Sequence, residues 1–173
     1  NPIGEVILEW SSNPKRSSNT EDWIYSVYAN EDSTKLFLGC YSGWIYCINL
    51  NGEILWEYNT KGIVDKIYSS KSGNSVVTYS SSIKNSNIHF LKKSNFLKRG
   101  KCIKTLKLNF NEQLKRINED IFVVTDKRKL LFFDIKGNLL NELSFDENIK
   151  TFDVYNSKLV VITNELLLFD LIK

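Results

Sequence analysis

The segment Gly52-Glu53-Ile54-Leu55-Trp56-Glu57-Tyr58 recurs near the start of the chain as Gly4-Glu5-Val6-Ile7-Leu8-Glu9-Trp10. Two looser copies follow, Gly100-Lys101-Cys102-Ile103-Lys104-Thr105-Leu106 and Gly137-Asn138-Leu139-Leu140-Asn141-Glu142-Leu143. The four glycines are separated by intervals of 48, 48 and 37 residues. A period of roughly 40–50 residues belongs either to propellers or to some helical arrays. What lies between the copies decides between the two.

Each period holds short runs of β-branched and aromatic residues, divided by clusters of Gly, Asn, Ser and Asp. The first period gives Trp23–Ala29, Lys35–Cys40, Gly43–Ile48 and Glu53–Tyr58. The second gives Ile63–Tyr68, Ser75–Tyr79, Asn87–Leu91 and Lys101–Leu108, and the third Gln113–Ile117, Ile121–Thr125, Leu130–Asp134 and Asn138–Phe145. The last gives Ile149–Tyr155, Lys158–Thr163 and Glu165–Asp170. Four short runs per period is the strand count of a propeller blade. The expected fold is therefore all-β, a β-propeller of four blade-like, four-stranded antiparallel sheets. Asn49 before Gly52 and Asp134 before Gly137 mark tight hairpins between third and fourth strands. The last blade lacks a fourth run, whereas Glu5–Trp10 is a fourth run with no third before it. The expectation is that this N-terminal strand closes the last blade and removes an open sheet edge. Residues 1–173 then read as one propeller domain, which can be a small ring, half of a ring shared by two chains, or part of a larger propeller.

The stretch Ile45-Tyr46-Cys47-Ile48-Asn49-Leu50-Asn51-Gly52-Glu53-Ile54-Leu55-Trp56 resembles the repeat of quinoprotein-type propellers. Cys47 stands at the small position, Asn49 at the Asp, Gly52 at the Gly and Trp56 at the closing Trp. The turn is one residue shorter than that pattern, which also makes it similar to tryptophan-aspartate repeat proteins. The resemblance implies architecture; propellers of these kinds range from dehydrogenases to inert scaffolds. A quinone-dependent dehydrogenase would need a stacking tryptophan, a calcium held by oxygens and an aspartate base. The four tryptophans, Trp10, Trp23, Trp44 and Trp56, fall in or beside the strand runs, where packing between blades is their expected use. No dense carboxylate cluster suits calcium, so no cofactor is expected.

Other catalytic patterns fail on inventory. His89 is the only histidine, and no Cys-x-x-Cys pair occurs. There is no Gly-x-Ser-x-Gly elbow and no glycine-rich phosphate loop. Glu21-Asp22, Glu31-Asp32 and Asp146-Glu147 read as solvated turn acids. The chain is expected not to be an enzyme. Three cysteines, Cys40, Cys47 and Cys102, are too few and odd in number for a secreted disulfide scaffold, which points to the cytoplasm or another reducing compartment. Asn1-Pro2-Ile3-Gly4-Glu5 shows no signal-peptide pattern, and no uncharged apolar stretch approaches a membrane span.

Charge is the feature that stands out. The 46 positions between Asp65 and Glu112 carry ten basic residues and no acid, while the whole chain is only +3. Seven of the ten crowd into Lys92–Lys107, around the hairpin between third and fourth strands of the second blade. Lys92, Lys93, Lys98, Arg99, Lys101 and Lys104, with Lys127, Arg128 and Lys129 on a hairpin of the third blade, are the candidate partner-binding residues. Lysines at 101, 104 and 107 do not hold one face of a regular strand. The expected function is a non-catalytic interaction or scaffolding module within a larger complex, docking another, acidic protein through this patch. The alternative is nucleic-acid or polyanion binding through residues 92–107, with Tyr79 or Phe96 stacking on bases. A homodimer sharing one ring is a further expectation.

Overall fold

The computed structural model describes residues 22–82, 85–94, 98–108, 113–118, 120–155 and 158–171. The expected strands that fall within the described residues are found, with ends shifted by a residue or two. Blade 1 is β1 (Ile24–Ala29), β2 (Lys35–Cys40), β3 (Trp44–Asn49) and β4 (Ile54–Asn59). Blade 2 is β5 (Ile63–Ser69), β6 (Ser75–Ser81), β7 (Ser86–Lys93) and β8 (Gly100–Leu108). Blade 3 is β9 (Leu114–Arg116), β10 (Ile121–Asp126), β11 (Lys129–Asp134) and β12 (Leu139–Ser144). Blade 4 holds β13 (Thr151–Tyr155), β14 (Lys158–Ile162) and β15 (Leu166–Asp170). Each sheet is an antiparallel meander in chain order, and blade 4 has three strands among the described residues. The segment Glu5–Trp10, expected as its fourth strand, lies outside the described residues.

Alternation along the strands gives each sheet two apolar faces, so the blades must stack. Phe37, Cys47 and Trp56 of blade 1 pack on Val64, Val76 and Leu91 of blade 2. Val77, Ile88 and Phe90 on the other face of blade 2 meet Leu114, Phe122 and Phe133. Val123, Leu130 and Phe132 then meet Phe152, Leu159 and Val161 of blade 4. Cys40 and Cys47 are buried free thiols. Burial pushes both up to about 12, which makes them inert fillers of the core.

The hairpins expected at Asn49–Gly52 and Asp134–Gly137 are built alike. Gly52 and Gly137 take φ of 80° and 84°, which side chains avoid, and each donates its N–H to the carbonyl of the Asx residue. The Asx side chain closes the turn: Asn49 Oδ1 accepts from Asn51 and Glu53, and Asp134 Oδ1 from Lys136 and Asn138. Gly100 has a different role. It lies inside β8, where a Cβ would stand 2.9 Å from the Trp56 ring, so it admits the neighbouring blade's indole rather than a turn.

Candidate functional site

Strand direction sorts the hairpins between the two ends of the stack. The β1–β2 turn of blade 1 sits beside the β5–β6 turn of blade 2, since Asn30 Nδ2 donates to Lys71 O at 2.9 Å and Lys35 Nζ donates to Ser72 O. The β7–β8 hairpin belongs to this same end, where Lys93 N donates to Asn74 O. In a four-stranded meander the second hairpin, such as β10–β11, points the other way. Lys92, Lys93, Lys98 and Arg99 thus share one end, and Lys127 and Arg128 occupy the opposite end. The nine candidate residues form two groups rather than a single patch.

The first end also gathers residues that the sequence reading left out. Lys35, Lys71 and Lys136 lie in or beside its turns, and Lys35 and Lys93 both act electrostatically on the Cys47 thiol. The signal was available, because the odd-numbered hairpins of a meander always share an end. Several acids at this end are tied down. Glu53 accepts from Asn49 Nδ2, and Asp134 is held below the ordinary carboxylate range because hydrogen bonds from Asn138 and Lys136 outweigh its partial burial. Glu31 is not a merely solvated turn acid: it meets Arg116 at 3.0 Å.

A β-bulge reshapes the basic hairpin. Lys101 stands opposite Lys92 and Lys104 opposite Phe90, with Ile103 the extra residue. Lys92 and Phe90 share a face, so Lys101 and Lys104 share it too, contrary to the regular alternation expected from the sequence. Lys107, opposite Asn87, falls on the other face. Lys104 is a strut as well: it donates to Gly137 O at 2.6 Å and lies 5.6 Å from the Phe133 ring centroid, joining blades 2 and 3. The far end of the hairpin is fastened to β4, where Glu57 N donates to Lys98 O at 3.3 Å and Arg99 bridges Glu57. Lys129 is bound to Glu142 at 2.6 Å, a contact that raises its pKa. Phe96 lies outside the described residues. Tyr79 packs against the core between blades 2 and 3 and donates to Ser86 Oγ, so it is occupied structurally.

The innermost strands carry a second polar cluster. Arg116 on β9 reaches Tyr28 on β1, and Tyr28 meets Tyr68 edge-on with centroids 5.8 Å apart. Lys115 pairs with Asp153 at 2.9 Å. Burial, reinforced by the nearby Lys115 ammonium, lowers the pKa of Lys66. Arg116 is a clamp across three blades.

His89 is buried on β7 between two hydroxyls, with Ser80 Oγ 3.1 Å from Nε2 and Thr105 Oγ1 3.2 Å from Nδ1. Desolvation depresses its pKa. The unfolded chain takes up this proton near its ordinary value of about 6.5, whereas the folded protein does so only at lower pH. His89 therefore imposes no penalty above that value and destabilises progressively as pH falls through the window below it. Urea midpoints should decline from pH 7.5 to 5.5, about one unit either side of that value, and His89→Gln should flatten the decline. Equal slopes in the two proteins would assign the proton elsewhere.

No family model matches the chain, and no curated protein matches it in sequence. Solved structures do match in shape. BamB from Moraxella catarrhalis superposes with a TM-score of 0.65 at 15% identity, over 89% of this chain and 48% of its own. The beta-propeller domain of Cps50 (Swd1) from Myceliophteria thermophila gives 0.58 at 11% identity, over 86% and 54%. The C-terminal WD40 domain of Sif2 gives 0.66 at 10% identity, over 88% and 44%. The chain spans about half the length of the solved structures it matches. Blade count, meander topology and these likenesses agree on the architecture: a run of four β-propeller blades with degenerate repeats.

Proposed function

We propose that the chain is a non-catalytic interaction module that docks an acidic segment of a partner protein on the end carrying Lys35, Lys71, Lys92, Lys93, Lys98 and Arg99. One observation carries the reading. Lys92 and Lys101 stand directly opposite each other on adjacent strands, with the other cations of the hairpin close by. Like charges in that position cost stability, a cost that an acidic partner relieves. Blade sheets supply a stiff support, so side chains at the turns are held ready for a partner. His89, the sole histidine, is committed to two hydroxyls inside blade 2, which supports a structural rather than catalytic use. A protein partner is favoured over nucleic acid because Tyr79, the described stacking candidate, is already packed and hydrogen-bonded.

The test is a titration with poly-glutamate, run beside a thymidine oligonucleotide of equal charge at two salt concentrations. Lys92→Glu/Lys93→Glu/Lys98→Glu/Arg99→Glu should weaken poly-glutamate binding by about tenfold or more. Lys127→Glu/Arg128→Glu, at the other end, should leave it unchanged. Equal losses in both variants would remove the proposed site. Tighter binding of the oligonucleotide with a steep salt dependence would replace a protein partner with a phosphate backbone.

A further inference from the structure

A blade's fourth strand lies at the rim, with one edge facing away from its own sheet. In blades 1, 2 and 3 these strands are β4, β8 and β12, and they differ in what that edge meets. The edge of β4 is covered by the root of the next blade's hairpin, since Glu57 N donates to Lys98 O and Arg99 forms a parallel bridge with Glu57. β12 is six residues long and carries an acid, Glu142. β8 is nine residues long, and no strand of the described residues pairs with its outer edge. Its three lysines, Lys101, Lys104 and Lys107, are exposed together with Ile103 and Thr105. Lys104 is held by Gly137 O, whereas Lys101 and Lys107 take part in none of the ion pairs of the described residues.

Register sets where those charges stand. Beyond the bulge at Ile103, Lys104–Leu108 pairs with Ser86–Phe90 residue for residue. Lys101 and Lys104 are on the face turned to blade 3, as are Leu106 and Leu108. Thr105 and Lys107 are on the face turned to blade 1, where Thr105 meets His89 and His89 meets Tyr58. The edge is therefore positive on both faces. Lysines and a bulge protect an edge from pairing with a second copy of itself. The same lysines favour a strand whose own side chains are acidic, because opposite charges side by side on a sheet stabilise and like charges destabilise. Lys101 already has Lys92 on one side, so an acid on its other side relieves that repulsion.

We propose that β8 takes up an extended acidic segment as a fifth strand of blade 2, with its backbone bonded along Lys104–Leu108 and its carboxylates beside Lys101 and Lys107. This rests on the reading that the partner is an acidic protein, and it names the form in which that partner binds. In strand addition the main chain supplies affinity and alternate side chains supply specificity. A nucleic acid has no peptide ladder to offer. At about 3.4 Å per residue, a segment lying along all of β8 spans about 30 Å. It leads directly to the hairpin end, where Lys92, Lys93, Lys98 and Arg99 stand.

The test uses the end-blocked peptide Glu-Val-Thr-Glu-Val-Thr-Glu and the same peptide N-methylated at both valines, which removes one donor from each edge of the strand. The unmodified peptide should bind more tightly by about tenfold or more. Its binding should slow hydrogen exchange at amides of Lys104–Leu108. Lys101→Glu/Lys107→Glu should weaken it by about tenfold while keeping the circular dichroism of the parent. Equal affinity of the two peptides, unchanged exchange along β8, or indifference to the two substitutions overturns the fifth strand. If poly-glutamate still binds in that case, and is still lost in Lys92→Glu/Lys93→Glu/Lys98→Glu/Arg99→Glu, the acidic partner stands as a side-chain contact at the basic end alone. Failure of both the peptide and poly-glutamate to bind removes both readings.

Discussion

Trp56→Ala is expected to lower the unfolding free energy by about 3–5 kcal/mol, the usual cost of truncating a large buried aromatic. The indole is 1% exposed and lies between blades 1 and 2. It meets Phe37 with ring centroids 5.9 Å apart, and Gly100 approaches so closely that a Cβ there would touch the ring. A glycine and an aromatic fitted to one another leave little freedom to collapse around a void, which places the cost toward the upper part of the range. Since a domain of this size is stable by about 5–15 kcal/mol, the variant should be at or near the threshold of folding. Trp56→Phe should retain much more stability. The indole Nε1 is buried with no hydrogen-bond partner among the described residues, so phenylalanine gives up volume but no bond. Urea unfolding followed by far-ultraviolet circular dichroism reads both. A Phe variant as unstable as the Ala variant would show that the site is fitted to the whole indole outline, so that a six-membered ring recovers none of its packing.

Trp56 was legible in the sequence because it closes the best-formed repeat, and the strands were legible for a related reason. Runs such as Lys35–Cys40 and Ile121–Thr125 carry their apolar side chains on both faces, which only a sheet packed on both sides can bury. Two turns announced themselves through Asn49–Gly52 and Asp134–Gly137. What escaped was whatever depends on register. A bulge between Phe90 and Leu91 costs one residue of pairing and turns Lys104 onto the face of Lys101. Nothing local in Lys-Cys-Ile-Lys-Thr marks the extra residue. Gly100 matches the spacing of the other repeat glycines, although its reason for being glycine lies in another blade. The Arg116 clamp to Glu31 and Tyr28 joins positions more than 80 residues apart, beyond the reach of any periodicity. The separation of Lys127 and Arg128 from the basic end was different, since counting hairpins along a meander would have shown it.

Gly39→Val should cost about 3 kcal/mol, at the upper end of what overpacking a core typically costs. Gly39 lies on β2 facing blade 2, where a Cβ would stand 2.4 Å from Ser26 Oγ and 2.5 Å from Val64 Cγ1. Ser26 cannot simply turn aside, because its hydroxyl donates to Val64 O at 2.7 Å and ties the innermost strands of the two blades together. The new side chain must therefore push β1 and β5 apart or break that bond. The strain and the loss of the bond arise at the same contact, so the effect should depend on Val64 specifically. Val64→Ala alone removes buried methyls and should destabilise by about 1–3 kcal/mol. In its background the added penalty of Gly39→Ala should shrink by about 1 kcal/mol or more, since the two changes share one space. Strict additivity in that double-mutant cycle would mean that Gly39 is glycine for the sake of its own strand, and that the close approach of blades 1 and 2 is set elsewhere along their faces.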